Sequence, residues 1–152
     1  MRKELTHLAA DGTIAMVDVS DKDIVSRTAR ARGFIHLQPE TIRLITTDGV
    51  KKGNVLATAR IAGIQAAKQT ATLIPLCHQL PLRHVSVDFT EQADGFAITA
   101  TAKTQAQTGV EMEALTAVSL AALTIYDMCK AVDTTMTITD ITLVEKRKES
   151  LS

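Results

Sequence analysis

The chain has no tryptophan, one tyrosine and three phenylalanines in 152 residues. Base-stacking platforms are built on aromatic faces, so this scarcity weighs against a nucleic-acid surface. An excess of either charge is also missing: 17 Lys and Arg balance 17 Asp and Glu. No net field draws such a chain to polyanions or to a membrane. Two cysteines, Cys77 and Cys129, are too few for a disulfide scaffold and fit a reducing, cytoplasmic compartment. Long hydrophobic runs are absent too. The N-terminal MRKELTHLAADGTIAM begins with charge but has no apolar signal region, and the longest uncharged apolar stretch, Ala114 to Tyr126, falls short of a membrane span. No repeat, low-complexity tract or linker divides the chain. The expectation is one domain over residues 1–152, with roughly the first 12 and last 6 residues as flexible ends.

What is present is an aliphatic core composition, 45% hydrophobic and rich in Ala, Ile, Leu and Val. Ala15–Val19 reads as a short strand, and SDKDIVSRTARARGF is ambiguous between strand and helix. Pro39 favours the first turn of a helix PETIRLIT, followed by a turn at Asp48-Gly49. Asn54 suits the N-cap of a helix running through VLATARIAGIQAAKQTATLI, which Pro75 ends. HVSVDFTEQ and GFAITATAKTQ alternate around Ala93-Asp94-Gly95 as a β-hairpin. The longest helix lies in GVEMEALTAVSLAALTIYDMCKAV, residues 109–132, and MTITDITLVEK, residues 136–146, closes the chain as a strand. This order predicts an α+β fold, a ferredoxin-like sandwich with a mostly antiparallel sheet covered by helices.

The long helix carries charges that an apolar segment should avoid. At 100° per residue, Glu113, Thr116, Thr124 and Asp127 fall on one side, flanked by Ser119 and Lys130. Val118, Ala122, Ile125 and Cys129 lie opposite, and Glu111 projects toward that apolar side. One reading is ordinary: first-turn glutamates complement the helix dipole, and Asp127–Lys130 is an i,i+3 pair. Against it, Glu111 and Glu113 stand about 160° apart and cannot share one solvated face. Glu113 and Asp127 share a face but are separated by roughly 21 Å of helix rise. One chain cannot bring both to a small site, so a site using both would lie between two-fold-related subunits.

Other residues leave alternatives open. Lys51-Lys52-Gly53-Asn54 sets a lysine before a helix N-terminus, either an anion site or a solvated pair. His78, on the apolar loop Ile74-Pro75-Leu76-Cys77, suits proton transfer near neutral pH or a hydrogen-bonded structural role. Cys77, His78, His84 and Cys129 are the only zinc set on offer, and their spacing fits no recognised ligand pattern. Arg27, Arg30 and Arg32 could clamp phosphate or be solvated. Together, Arg27, Lys52, His78, Glu111, Glu113, Asp127 and Lys130 suit a phosphorylated small substrate undergoing acid–base rearrangement without a redox cofactor.

The same residues carry a resemblance. MVDVS (16–20), KGNVLATARIAGIQAAK (52–68), LIPLCH (73–78) and TGVEMEALTAVSLAALTIYDMCKAV (108–132) closely resemble the molybdenum cofactor biosynthesis protein C (MoaC) family, and the likeness runs from about Leu5 to Lys146. The resemblance implies a ferredoxin-like subunit in a homohexamer, a trimer of dimers with active sites between subunits. It implies a lyase of the phosphorus–oxygen type that turns 3′,8-cyclo-dihydro-GTP, made by a radical SAM partner enzyme, into cyclic pyranopterin monophosphate with release of diphosphate. It implies Asp127, Lys130, Lys52 and His78 as catalytic residues. Leu76, Cys77, His78, Met112, Glu113 and Glu111 would bind substrate, with Arg27 on phosphate. No cofactor is implied beyond Mg²⁺ that could accompany the triphosphate, and no nucleic acid or membrane. Three positions depart from the family pattern: Asn54 stands for an Asp, Gln79 for a Pro, and Lys146-Arg147-Lys148-Glu149-Ser150 for a glycine-rich tail. A non-catalytic, oligomeric nucleotide-binding protein of the same fold is the alternative.

Overall fold

A computed structural model describes residues 5–151; residues 1–4 and 152, the extremes of the ends expected to be flexible, lie outside the described residues. Alternation settles the ambiguous first segment. In β1 (Val25–His36), Ala29, Ala31 and Ile35 are buried while Arg30 and Arg32 are exposed, the period of two that makes a half-buried strand. Ala15–Val19, by contrast, is not a strand, and only Leu8 and Ile14 form an isolated bridge nearby. Ala15, Val17 and Val19 are half-buried between exposed neighbours. The alternation there reports one-sided burial without pairing, because the Val17 carbonyl is taken by the His78 ring.

Helix α1 (Pro39–Thr46) has Pro39 in its first turn, as its fixed φ favours. Before α2 (Val55–Lys68), Gly53 takes a left-handed conformation, φ 106°, and the Asn54 side chain accepts the Ala57 N–H at 2.8 Å. The helix expected to continue to Ile74 breaks at Gln69 and resumes as the single turn α3 (Thr70–Leu73). The cause is local. The Thr70 hydroxyl donates back to the Ala66 and Ala67 carbonyls at 3.1 and 3.0 Å, competing for acceptors that would extend the backbone ladder.

The hairpin is β2 (Leu82–Gln92) with β3 (Gly95–Ala106), followed by α4 (Glu111–Cys129) and β4 (Thr137–Glu149). The sheet order is β2-β3-β1-β4, antiparallel throughout, which is the expected ferredoxin-like arrangement. Strand β4 runs past the expected end at Lys146, because β1 still offers Arg27 opposite Lys148 and Ser26 opposite Glu149. Of Lys146-Arg147-Lys148-Glu149-Ser150, the first four residues are therefore strand.

Helix α4 packs on β1, β3 and β4, α2 packs on β2, and the two helices pack on each other. Val118, Ala122, Ile125 and Cys129 are fully buried, as the helical phase requires. Burying a side chain such as Ile125 stabilises the fold by about 1.5–3 kcal/mol. By length and composition alone, the 19 residues of α4 would suffice to cross a membrane. Counting only Ala114 to Tyr126 understated this, because the interrupting charges sit at the helix ends. Most of that apolar surface is spent on the core. Gly63 allows the α2–α4 approach: a Cβ there would stand 2.9 Å from the Ala117 carbonyl and 3.0 Å from the Val87 side chain.

Candidate active site

Two neighbouring cavities meet at the N-terminal end of α4. The first, about 270 Å³, is lined by Leu76, Cys77 and His78 from the loop after α3 and by Glu111, Met112 and Glu113 from the first turn of α4. Val17, Val19 and Lys22 of the N-terminal segment close its other side. The loop is irregular because Pro75 stops the helix, and it holds His78 against the chain: Nε2 donates to the Val17 carbonyl at 2.6 Å. A carbonyl can only accept, so Nε2 carries the hydrogen and Nδ1 is the atom left to exchange a proton.

Glu113 lies on the side expected to be polar, yet it is only 4% exposed. Near the N-terminal end of α4 that side is covered by α2 and the Leu76–His78 loop, whereas at Asp127 it is open. Burial pushes the Glu113 carboxyl up to about 7, with the Glu111 charge adding and its own backbone amide opposing. Burial likewise raises the Cys77 thiol, and negative Glu113 adds to it. Cys77 therefore stays protonated and is a wall of the cavity rather than a nucleophile.

Glu111, expected to face the apolar side, instead sits half-buried at the rim, with Lys146 Nζ 2.6 Å from its carboxylate. The correction is one of position in the helix. A first-turn side chain leans back over the residues before it, here so closely over Gly109 that a Cβ there would collide with the carboxylate. Burial works to raise Glu111, but Lys146, its own amide and Arg27 together hold it below the usual carboxylate range.

The second cavity, about 250 Å³, shares Gly109 and Glu111 with the first and is lined by Arg27, Lys146, Arg147 and Lys148. Arg27 is fixed from behind: its guanidinium donates to the Ala106 carbonyl at 3.1 Å and the Gln107 carbonyl at 3.3 Å. Sequence reasoning ended the strand at Lys146 and so missed Lys146 and Lys148 as cavity residues. The β-branched run before them was the signal that the pairing could continue.

The remaining candidates gather at the other end of α4. Lys52 Nζ donates to the main-chain carbonyl of Asp127 at 3.0 Å and to its carboxylate at 3.1 Å, and Lys130 Nζ lies 2.9 Å from the other carboxylate oxygen. Hydrogen bonds from Lys130 and Lys52 hold Asp127 below the usual carboxylate range. These three side chains are exposed on open surface. One chain thus assembles two part-sites: an enclosed pair of cavities at one end of α4 and a Lys–Asp–Lys cluster at the other.

A third carboxylate was not singled out from sequence. Asp133, 2% exposed, accepts from the Gln38 amide, the Thr41 hydroxyl and both the amide and hydroxyl of Thr135, all at 2.9 Å. It ties the turn after α4 to the start of α1 and has no opening to substrate. Among the described residues, no three His, Cys, Asp or Glu side chains stand close enough together to hold a metal ion. Cys129 is buried in the core, so the zinc set of Cys77, His78, His84 and Cys129 does not assemble.

Comparison with known proteins identifies relatives of the chain. The profile of the MoaC family matches residues 16–149, which includes both part-sites. A Chloroflexus aurantiacus protein named cyclic pyranopterin monophosphate synthase is 61% identical over 146 residues, covering 95% of this chain and 90% of the relative. A Dinoroseobacter shibae protein of the same name is 58% identical over 144 residues, with 93% and 91% covered. A Chlorobaculum tepidum protein named molybdenum cofactor biosynthesis bifunctional protein is 58% identical over 143 residues, covering 94% of this chain but 46% of the relative.

Proposed function

Because the chain belongs to the MoaC family, we propose that it is a cyclic pyranopterin monophosphate synthase acting early in molybdenum cofactor biosynthesis. The reaction is that of a phosphorus–oxygen lyase. The substrate is (8S)-3′,8-cyclo-7,8-dihydroguanosine 5′-triphosphate, supplied by a radical SAM enzyme, and the products are cyclic pyranopterin monophosphate and diphosphate. The observation that carries this reading is the junction of the two cavities at Glu111: an enclosed pocket with a buried carboxyl beside a cleft lined by cations. A guanine-derived ring fits the first, and a triphosphate fits the second.

The chemistry divides accordingly. Ring opening and reclosure need proton carriers, for which His78, Asp127 and the flanking lysines are suited. Closing the cyclic phosphate requires a ribose hydroxyl to attack phosphorus as diphosphate leaves. Arg27, Lys52 and Lys130 stabilise the charge that develops, and any Mg²⁺ arrives with the triphosphate. Glu113 and Asp127 are separated by roughly 21 Å of helix rise, so the complete site combines the cavities of one subunit with the Lys52–Asp127–Lys130 cluster of another. A homohexamer built as a trimer of dimers, in the cytoplasm, provides that pairing.

The test is direct. The purified protein is incubated with the cyclised dihydro-GTP, and mass spectrometry follows cyclic pyranopterin monophosphate and diphosphate. Formation of both supports the synthase. Substrate that binds and is recovered unchanged would instead favour a binding protein of the same fold.

A further inference from the structure

The end of the sheet sets two like charges against each other. Farther along the β1–β4 pairing, Arg30 faces Glu145 with a nitrogen 3.7 Å from its carboxylate, the opposite-charge match that an antiparallel pair favours. Three residues earlier in β1, Arg27 stands directly opposite Lys148. Residues so paired have Cβ atoms about 5 Å apart on one face, where like charges destabilise the sheet. That face is the one carrying buried Ala29 and Ala31, against α4, and both cations line the second cavity. Arg27 cannot swing clear, because its guanidinium is tied to the Ala106 and Gln107 carbonyls.

The nearby acids are already matched. Glu145 and Glu149 alternate onto the other face of β4, where Arg30 and Arg147 hold the first and Arg147 the second. Glu111 is the carboxylate of the cavity wall, and Lys146 holds it at 2.6 Å, with Arg27 acting at longer range. Three cationic side chains thus face one anion, and among the described residues none of these ion pairs engages Lys148. Edge strands do carry lysines that discourage further pairing. That purpose gives no reason to set one against an arginine inside a cleft.

We infer that Lys148 joins Arg27 as a clamp on the outer two phosphates of the substrate, those that leave as diphosphate. The identity of the ligand rests on the synthase reading; the role of Lys148 and the division of the triphosphate go beyond it. The order follows from the strand. Lys146 reaches Glu111, at the junction of the two cavities. Lys148 lies on the same face two residues on, about 6–7 Å farther along β4, and lines the second cavity alone. A phosphate chain attached to a ring in the first cavity passes Glu111 before its far end meets Lys148. An anion there is attracted by both cations and also relieves their repulsion. Arg27 offers the guanidinium N–H groups not spent on carbonyls, and Lys148 adds a point charge.

The experiment compares the full-length protein with its Lys148→Gln, Lys148→Arg and Lys103→Gln variants by calorimetric titration with inorganic diphosphate. Lys103 is exposed on the other face of the sheet, so its loss removes the same charge without touching the cleft. Lys148→Gln should weaken diphosphate binding about 10-fold or more. Lys148→Arg should keep it within a few-fold, and Lys103→Gln should match wild type. Cyclic pyranopterin monophosphate, which lacks the outer phosphates, should bind Lys148→Gln almost as it binds wild type. In turnover, most of the loss in kcat/KM should appear in KM, since the contact is made before the reaction. Without ligand, Lys148→Gln should be at least as stable as wild type, because a like-charge contact is removed.

Wild-type diphosphate affinity in Lys148→Gln overturns the inference, as does an equal loss in Lys103→Gln. A loss for the cyclic product as large as that for diphosphate overturns the placement on the outer phosphates. A ligand-free Lys148→Gln that is less stable than wild type would remove the premise of an opposed pair. If the wild type makes no product while its diphosphate binding still depends on Lys148, the synthase reading fails and the clamp stands.

Discussion

Lys52 spans the gap between the turn before α2 and the C-terminal end of α4 by gripping Asp127 twice, at its main-chain carbonyl and at its carboxylate. Lys130 holds the opposite carboxylate oxygen. Exposed ion pairs of this kind contribute little to stability. What the arrangement does is place one carboxylate between two ammonium groups, each able to pass it a proton or to meet a phosphate.

Asp127→Asn should therefore fold and assemble as wild type and lose turnover by about 10²–10⁴-fold, the usual range for a lost acid–base group. Circular dichroism and native mass report the first, product formation the second. A wild-type rate would remove Asp127 from the mechanism.

Shared sites make a separate demand. Subunits inactivated at Glu113, mixed with subunits inactivated at Asp127, should regain activity, since some interfaces then pair an intact cavity with an intact cluster. Recovery is measured after unfolding and refolding the mixture together. Inactive mixed assemblies would count against sites between subunits.

Glu113 also links stability to pH. Its folded value, about 7, lies above the ordinary carboxylate value of 4.5, so between these the folded state holds a proton that the unfolded state has released. Stability should fall as pH rises through this window and level off above it. Glu113→Gln should unfold like wild type below about pH 4.5 and be more stable by roughly 1–3 kcal/mol above pH 7. Urea midpoints at acid and alkaline pH check both ends.

Asp133 runs the other way. Its folded value is lowered, so its contribution is present above the ordinary aspartate value and is lost as pH falls through the folded one. Asp133→Ala should cost about 2–4 kcal/mol at neutral pH by stranding the Gln38 amide and the Thr41 and Thr135 groups. Denaturant unfolding at neutral pH should show the loss, and acid unfolding should show a smaller one.

Gly63→Ala tests the approach of α2 to α4. Alanine favours a helix by about 1 kcal/mol over glycine, but its Cβ would crowd the Ala117 carbonyl, Val87 and Ala121. Overpacking of this kind costs about 1–3 kcal/mol, so the net change should be destabilising and should lower the urea midpoint.

Much of the fold was legible where one local rule acted alone. Asn54 could be read as a cap, Pro39 as a helix start and Ala93-Asp94-Gly95 as a hairpin turn, because each depends on near neighbours. The failures came where distant chain decided the outcome. Ala15–Val19 alternates like a strand, but the group that takes its backbone is a histidine 61 residues away. Glu113 looked polar-facing because helical phase says which residues share a side, not what covers that side. The site divided in the same way. Helix arithmetic was enough to keep Glu113 and Asp127 apart, whereas the Lys146–Glu111 contact needed β4 to run farther along β1 than its hydrophobic pattern indicated.

Helix α4 acts as a ruler. Its 19 residues fix both the spacing and the relative rotation of the two part-sites, and an α-helix changes these together: one residue more or fewer shifts an end by about 1.5 Å and turns it by about 100°. Its solvent side, at Leu123 for example, can therefore vary in residue type with little effect on the chemistry. Its length cannot vary even by one. A single-residue insertion between Glu113 and Asp127 would leave each part-site with all its groups and still put them out of step.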